Sequence, residues 1–365
     1  VDYTSYPITT LENATSKVML AISRDHQYFL KAYNDYTDLD DDGLIEEAET
    51  TYDNGFEYYG YFDSDKCYSY DRSNFPGGGW IEYFNPTDFA INHYCDTVSG
   101  DWSGNFMNWA TMTRMDVVRK ILYGGRRYED RETHTLLERA YLPTDGHAFA
   151  KYYNGDDLGK LTPFGSGVTD TDQGRTDQGK TDQGKTDQGK TDQGKTDQGN
   201  NEGSDGYGGG ITICNTTKPP EAGSSQNTNN RPLARIVRGN FKLWAANERW
   251  QCRFDKDAEN KNVASESGID ASSNEPDSAS DGLVDNGYGP DFQLHIQACK
   301  PGLIHPSDDN ENCKRYPDGN YKPSGLLQEY GENESIHFGA ITGSYDNHIR
   351  GGVLRKNIGP LDDEI

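Results

Sequence analysis

The chain has 365 residues, enough for two ordinary domains or for one domain carrying large insertions. Its 35 Lys plus Arg against 60 Asp plus Glu give a formal charge of −25, a field that repels nucleic acid and anionic membrane surfaces and attracts cations. A nucleic-acid partner is therefore not expected, and no apolar run approaches the length that spans a membrane.

The hydrophobic fraction is only 32%, but 24 Tyr, 13 Phe and 5 Trp supply large rings to bury. We expect a folded, loop-rich protein whose core leans on aromatics. Position 1 is Val, and no basic and apolar leader precedes it. A mature exported product, with its signal peptide already removed, is the expectation. The six cysteines, Cys67, Cys95, Cys214, Cys252, Cys299 and Cys313, form no CxxC pair, so disulfides in an oxidising compartment are expected in preference to zinc or redox motifs. Fifteen pairings are open to six cysteines. Proximity in the chain favours Cys67–Cys95 and Cys299–Cys313, which leaves Cys214–Cys252.

Taken in chain order, the apolar run "VMLAI" (Val18–Ile22) reads as a short buried strand, followed by a helix-like turn. The acidic stretch "TDLDDDGLIEEAE" (Thr37–Glu49) comes next. After it, the aromatic alternation of "FEYYGYFDSDKCYSY" favours β structure. "SGNFMNWATMTRMDVVRKILYGG" predicts one long helix: Ser103 caps its start, Gly124-Gly125 ends it, and Phe106, Trp109, Ala110, Val117, Val118, Ile121 and Leu122 face the core. Residues Thr171–Asn200 repeat a TDQG unit six times. Such a polar unit has no hydrophobic face to bury, so residues 166–210 are expected to form a flexible surface insertion. "GNFKLWAANERWQCRF" predicts a strand and a helix, and a second polar insertion runs from Asp255 to about Gly287. A strand at Ile336–Ile341 and a glycine-marked turn into another close the series.

The acidic stretch carries the sharpest chemical signal. An EF-hand-like calcium loop needs oxygen donors at positions 1, 3, 5, 7, 9 and 12 and a glycine at position 6. Counted from Asp38, these slots hold Asp38, Asp40, Asp42, the carbonyl of Leu44, Glu46 and Glu49, with Gly43 at the turn and Ile45 free to anchor the loop. A Ca2+ site is expected there. The groups Asp255, Asp257, Glu259 and Asp277, Asp281, Asp285 have carboxylates without that spacing and read as solvated loops. No GxSxG, HExxH, P-loop or dinucleotide-binding pattern occurs, and the eight histidines lack metal-ligand spacing. His26 beside Asp25 reads as an ordinary polar cluster. An enzyme is not expected.

The blocks "SRDHQYFLKAYNDYTDLDDDG", "YYGYFDSDKCYSY", "WSGNFMNWATMTRMDVVRKILYGG", "FKLWAANERWQC" and "CKRYPDGNYKPSGLLQEYG" with "HFGAITGSYDNHIRGGVLRKNIG" resemble the N-terminal region of the PilY family of type IV pilus biogenesis factors and tip-associated adhesins. The resemblance implies secretion, calcium dependence and association with pili. It also implies an α/β fold of the von Willebrand factor A-like type, incomplete here or completed by a partner, with large loop-rich, disulfide-bonded insertions. Its first strand would be Lys17–Ile22, its first helix Asn105–Tyr123, and its second and third strands would lie near Ile336–Leu354. Where many members place a DxSxS metal motif this chain reads "SRDHQ", with Ser23 and Asp25 out of register, so only the loop Asp38–Glu49 carries a metal expectation. The domain reading is residues 1–165 as the first part of the von Willebrand A-like domain, 166–210 as the repeat insertion, and 211–365 as a disulfide-bonded segment with further strands. The implied function is an extracellular pilus-associated assembly and adhesion protein, and the alternative is a structural subunit of a cell-surface filament. Implied partners are pilins or minor pilins, a C-terminal fragment of the same precursor, other copies of the chain, and a surface receptor.

Overall fold

A computed structural model of the protein describes residues 15–23, 25–33, 52–74, 80–95, 101–132, 134–142, 147–164, 210–217, 231–238, 291–305, 311–343 and 352–361, and every structural statement below concerns these. The architecture is a β-rich α/β arrangement of four sheets with short helices. No helix is long and apolar enough to cross a membrane.

The first sheet joins the two ends of the described chain. β1 (Ser16–Ile22) runs parallel to β14 (Ile336–Gly343), in a register that sets Ser16 opposite Ile336 and Ile22 opposite Thr342. β15 (Gly352–Gly359) folds back antiparallel on β14, giving the order β1-β14-β15. The two strands read from sequence at either end thus meet, with residues 23–335 between them.

Those intervening residues build the other sheets. β2 (Lys66–Asn74) and β3 (Trp80–Phe89) form an antiparallel hairpin in which Tyr68 and Phe84 turn inward and are fully buried. Pro86 lies inside β3 and cannot donate to the ladder. The register shifts beside it, with Cys67 opposite Asp88 but Tyr68 opposite Pro86, so a bulge absorbs the missing donor. β4 (Trp102–Ser103), β5 (Arg127–Arg131), β6 (His134–Glu138) and β11 (His295–Ala298) complete a six-stranded sheet of order β4-β2-β3-β11-β6-β5. A four-stranded antiparallel sheet contains β7 (Phe149–Tyr153), β8 (Ile211–Thr217), β9 (Pro232–Arg238) and β10 (Asp291–Gln293). β12 (Cys313–Arg315) and β13 (Tyr321–Pro323) pair alone. Strands from both sides of residues 166–210 therefore share sheets. The repeats themselves lie outside the described residues, as do the whole of "GNFKLWAANERWQCRF" and the insertion 255–287.

The helix expected over Asn105–Tyr123 is in fact two. α1 (Gly104–Thr111) starts as predicted, with Ser103 Oγ accepting the Phe106 N–H, and α2 (Arg114–Tyr123) ends at Gly124, whose φ of 80° is the left-handed conformation a C-terminal glycine supplies. Between them Met112 and Thr113 are extended. Thr113 caps α2 in a reciprocal capping box with Asp116. The backbone of residues 30–32 inserts at the break: Ala32 N–H donates to Met112 O, and Arg114 N–H donates to Leu30 O. The apolar stripe splits accordingly. Phe106, Trp109 and Ala110 are buried, Val117, Val118 and Leu122 are half-buried, and Ile121 is 43% exposed.

The core is the aromatic one expected. Tyr52, Tyr58, Phe62, Phe84, Trp102, Phe106, Trp109, Tyr153 and Phe292 are buried together, mostly edge-to-face, as Phe62 on Phe84 (5.1 Å) and Trp102 on Phe292 (5.2 Å) illustrate.

Candidate functional site

The predicted calcium ligands Asp38, Asp40, Asp42, Leu44, Glu46 and Glu49 lie outside the described residues. What is described is how the chain is held on either side of them. Entering, Tyr33 packs edge-on to Tyr58 at 4.9 Å, donates its hydroxyl to Tyr59 O (2.6 Å), and its own carbonyl accepts Lys151 Nζ (2.8 Å). Leaving, Tyr52 stacks on the same Tyr58 at 5.4 Å. Burial pushes the Tyr33 phenol up to about 12, so both anchors stay neutral and hydrogen-bonded at physiological pH. Tyr33 and Tyr52, the described residues that flank segment 34–51, thus converge on one ring.

The anchoring residues are themselves fixed by α1. Asn105 Oδ1 accepts the Tyr58 N–H (2.7 Å), and its amide donates to Phe56 O (2.9 Å) and Tyr52 Oη (3.0 Å). One turn on, Asn108 Oδ1 accepts the Phe62 N–H (3.1 Å) while its amide donates to Tyr58 O (2.6 Å) and Phe62 O (2.9 Å). The segment 52–62 is irregular where sequence alternation favours strand. Its backbone groups find these two asparagines in place of a ladder.

A second feature is the open three-stranded sheet. β1 has β14 on one side and no strand on the other among the described residues, and apolar side chains stand on the faces, Met19 41% and Leu354 56% exposed. Just past the carboxyl end of β1, the Ser23 hydroxyl accepts the Asp25 N–H (3.2 Å), and Asp25 accepts the Gln27 N–H (3.1 Å) and pairs with His26 (3.0 Å), all exposed. His26 and Asp25 form a surface pair on a 3-10 turn.

The third feature was not anticipated from sequence. Lys66, fully buried at the start of β2, places Nζ 3.0 Å from Asp63 Oδ2 and 2.7 Å from Glu311 Oε2. Glu311 Oε2 also accepts the Cys299 N–H (3.1 Å). Burial raises the Glu311 carboxyl to about 7 against the pull of Lys66. Lys120 reaches the same region from α2, its ammonium 4.3 Å over the Tyr59 ring. Glu311 stands 245 residues from Lys66 in sequence, so no local pattern announces the pair. The only hint is that each lies within two residues of a cysteine.

The cysteine expectations are met where they are described: Cys67 bonds Cys95 and Cys299 bonds Cys313. Cys214 is also disulfide-bonded, and Cys252 lies outside the described residues. Among the described residues, the one group of three or more His, Cys, Asp or Glu donors close enough to share an ion is Cys299, Glu311 and Cys313, and two of these are joined in the disulfide. No described histidine belongs to such a group; His295 is buried against Glu138 (3.3 Å), which Arg126 (3.2 Å) and the Tyr141 hydroxyl (2.9 Å) also contact.

Comparison with known proteins finds similar sequences. A family profile described as "PilY1 homolog, small alpha/beta domain" matches residues 49–201, and a second, "PilY1 homolog, second domain", matches residues 338–365. A protein named type IV pilus biogenesis factor PilY1 homolog, from Xylella fastidiosa (strain Temecula1 / ATCC 700964), is 29% identical over 357 residues, covering 95% of this chain and 19% of that relative. Another of the same name and organism is 41% identical over 95 residues, covering 25% of this chain and 8% of that relative. The chain is thus similar to PilY1 homologs along most of its length. It spans about a fifth of the length of the first relative. No solved structure matches.

Proposed function

We propose that the protein is an extracellular, calcium-binding protein associated with type IV pili, acting in pilus assembly and surface adhesion. The observation that carries this reading is the relation, along 95% of the chain, to a protein named as a type IV pilus biogenesis factor. The disulfides and the charge of −25 agree with an exported, cation-rich setting. No catalytic step forms part of the proposal.

The sheet β1-β14-β15 supports a von Willebrand A-like fold: a parallel pair followed by an antiparallel hairpin, with β1 at an edge among the described residues. An edge with exposed apolar faces is a template for a further strand. In this proposal that strand comes from a further segment of the same precursor, from a pilin or minor pilin, or from another copy of the chain. The same edge favours a second reading, a subunit that builds a filament along its length. Immunogold labelling of native pili with an antibody to this chain separates the two. Label at pilus tips or bases supports assembly and adhesion, continuous label supports the filament subunit, and label that never coincides with pili overturns both.

The loop Asp38–Glu49 would hold Ca2+ through the side chains of Asp38, Asp40, Asp42 and Glu49, the carbonyl of Leu44 and, directly or through water, Glu46. An all-oxygen donor set suits that hard cation. Extracellular sites of this type bind at roughly 10⁻⁴ to 10⁻³ M. At about tenfold excess over Kd, calcium therefore stabilises the folded chain by ~1.4 kcal/mol. The expected result is a melting temperature a few degrees higher in calcium than in EGTA, abolished by Asp38→Ala with Glu49→Ala. An equal rise in the double variant would remove the site from this loop.

A further inference from the structure

The two described disulfides sit in contrasting surroundings. Cys67 and Cys95 are both buried, and their sulfurs contact backbone carbonyls, Tyr94 O at 3.9 Å and Trp102 O at 3.6 Å. Cys299–Cys313 has a carboxylate instead. Glu311 Oε2 lies 3.3 Å from Cys313 Sγ, and the Cys299 sulfur, the Cys313 sulfur and a Glu311 oxygen all fall within 4.8 Å of one another. The two sulfurs also differ in access, because Cys299 is buried and Cys313 is half-buried beside exposed Asn312. Cys299 and Asn312 both hold φ of 54°, a left-handed conformation disfavoured for residues other than glycine.

We propose that Cys299–Cys313 is a thiol-exchange site, in which Cys313 is the sulfur met by an incoming dithiol and Glu311 passes a proton to and from Cys299. The dithiol's thiolate attacks Cys313 Sγ, the Cys313–Cys299 bond breaks, and the electron pair leaves on Cys299 Sγ. A buried thiolate is costly, and the Glu311 carboxyl proton neutralises it. The second thiol of the dithiol loses its proton to solvent and attacks its own sulfur in the mixed disulfide. Cys313 leaves as a thiolate and is protonated from solvent. The dithiol has lost two electrons and become a disulfide, the protein disulfide has become two thiols, and Glu311 regains its proton from water. In the reverse direction the Glu311 carboxylate takes the Cys299 proton.

Glu311 suits both directions because its carboxyl titrates at about 7, where the acid and the carboxylate coexist. The charged and titratable groups facing it are Lys66 and the Tyr68 phenol from β2, Asp63 just before β2, and Lys120 from α2. Lys66 is held by Asp63 as well as by Glu311, so it stays in place when Glu311 gives up its carboxylate character.

The test uses the full oxidised chain in dithiothreitol without denaturant, quenched with acid, alkylated and mapped by peptide mass. Cys299 and Cys313 should become alkylated at least about tenfold faster than Cys67 and Cys95. Expressed per reagent thiolate, the opening rate should be higher below pH 7 than above it, with an inflection near 7. In Glu311→Gln the rate should drop about tenfold and the inflection should vanish, while Cys67–Cys95 keeps its rate. If that variant does not fold, the order of opening and the pH profile of the unmodified chain decide alone. Opening of Cys67–Cys95 as fast as Cys299–Cys313, a flat profile per thiolate between pH 6 and 8, or a folded Gln variant opening at the original rate would each overturn the proposal.

Discussion

Lys66→Ala is expected to destabilise the protein by about 3–5 kcal/mol at pH 8, the cost of removing one partner from a buried ion pair. The reason is geometric. Lys66 is fully buried and its ammonium lies between Asp63 (3.0 Å) and Glu311 (2.7 Å). Removing it leaves two carboxylates in a low-dielectric interior with each other as neighbours. The loss should depend on pH in a defined sense. Burial already raises the Glu311 carboxyl to about 7 from its ordinary 4.5, so the folded state binds a proton that the unfolded chain releases. That group's contribution is therefore present below about 4.5 and is lost as pH rises through 7. Without the ammonium, Glu311 is held protonated more strongly still, so the deficit should be smaller at pH 5, where only Asp63 loses its partner, than at pH 8, where both carboxylates do. Lys66→Met combined with Asp63→Asn and Glu311→Gln removes every charge of the trio and should recover most of the loss. Urea denaturation at the two pH values measures it, and a Lys66→Ala deficit that is equal at pH 5 and pH 8 would refute the electrostatic account.

The second large effect is expected at Asn108. Its amide donates to Tyr58 O and Phe62 O and its carbonyl accepts the Phe62 N–H, all inside the core. Gly60 lets the backbone approach this closely, since a Cβ there would fall 2.1 Å from Asn108 Oδ1. Asn108→Asp keeps the shape and reverses the chemistry: two carbonyls that received donors would face a carboxylate. The expected cost is about 3–5 kcal/mol at neutral pH, since a buried unpaired charge and orphaned acceptors combine. Protonation of the new carboxyl restores one donor, so the cost should shrink in acid. Because the asparagine holds the segment leading out of the proposed calcium loop, the variant should also weaken the calcium-dependent rise in melting temperature. A variant melting within a degree or two of the parent at pH 7 would count against this role.

These two sites also mark the boundary of what could be read from sequence. β1, β14 and the turn into β15 were legible as strands because short apolar runs punctuated by glycine announce strands whatever their partner, but the burial expected of β1 was not met, its residues being exposed or half-buried. Ser103 and Gly124 announced the two outer ends of the helical region, because capping is satisfied within a few residues. The local disulfides Cys67–Cys95 and Cys299–Cys313 followed from proximity in the chain. The break at Met112–Thr113 was not legible as a break. Thr113 and Asp116 are a capping pair in sequence, but they act as one only because residues 30–32 arrive to bond the exposed backbone.

Local chemistry by itself determined the outer ends of the helical region, that aromatic rings would carry the core, and which acidic stretch has the spacing for calcium. The tertiary structure alone decided that α1 is buried on its polar face too, with Asn105 and Asn108 serving the irregular segment 52–62. It alone brought Glu311 across 245 residues to Lys66, and it alone set β11 between β3 and β6. The physical reason is the same in each case. A cap or a glycine turn is satisfied by neighbours a few bonds away, whereas a buried amide or ammonium is satisfied only by groups that folding delivers from elsewhere in the chain.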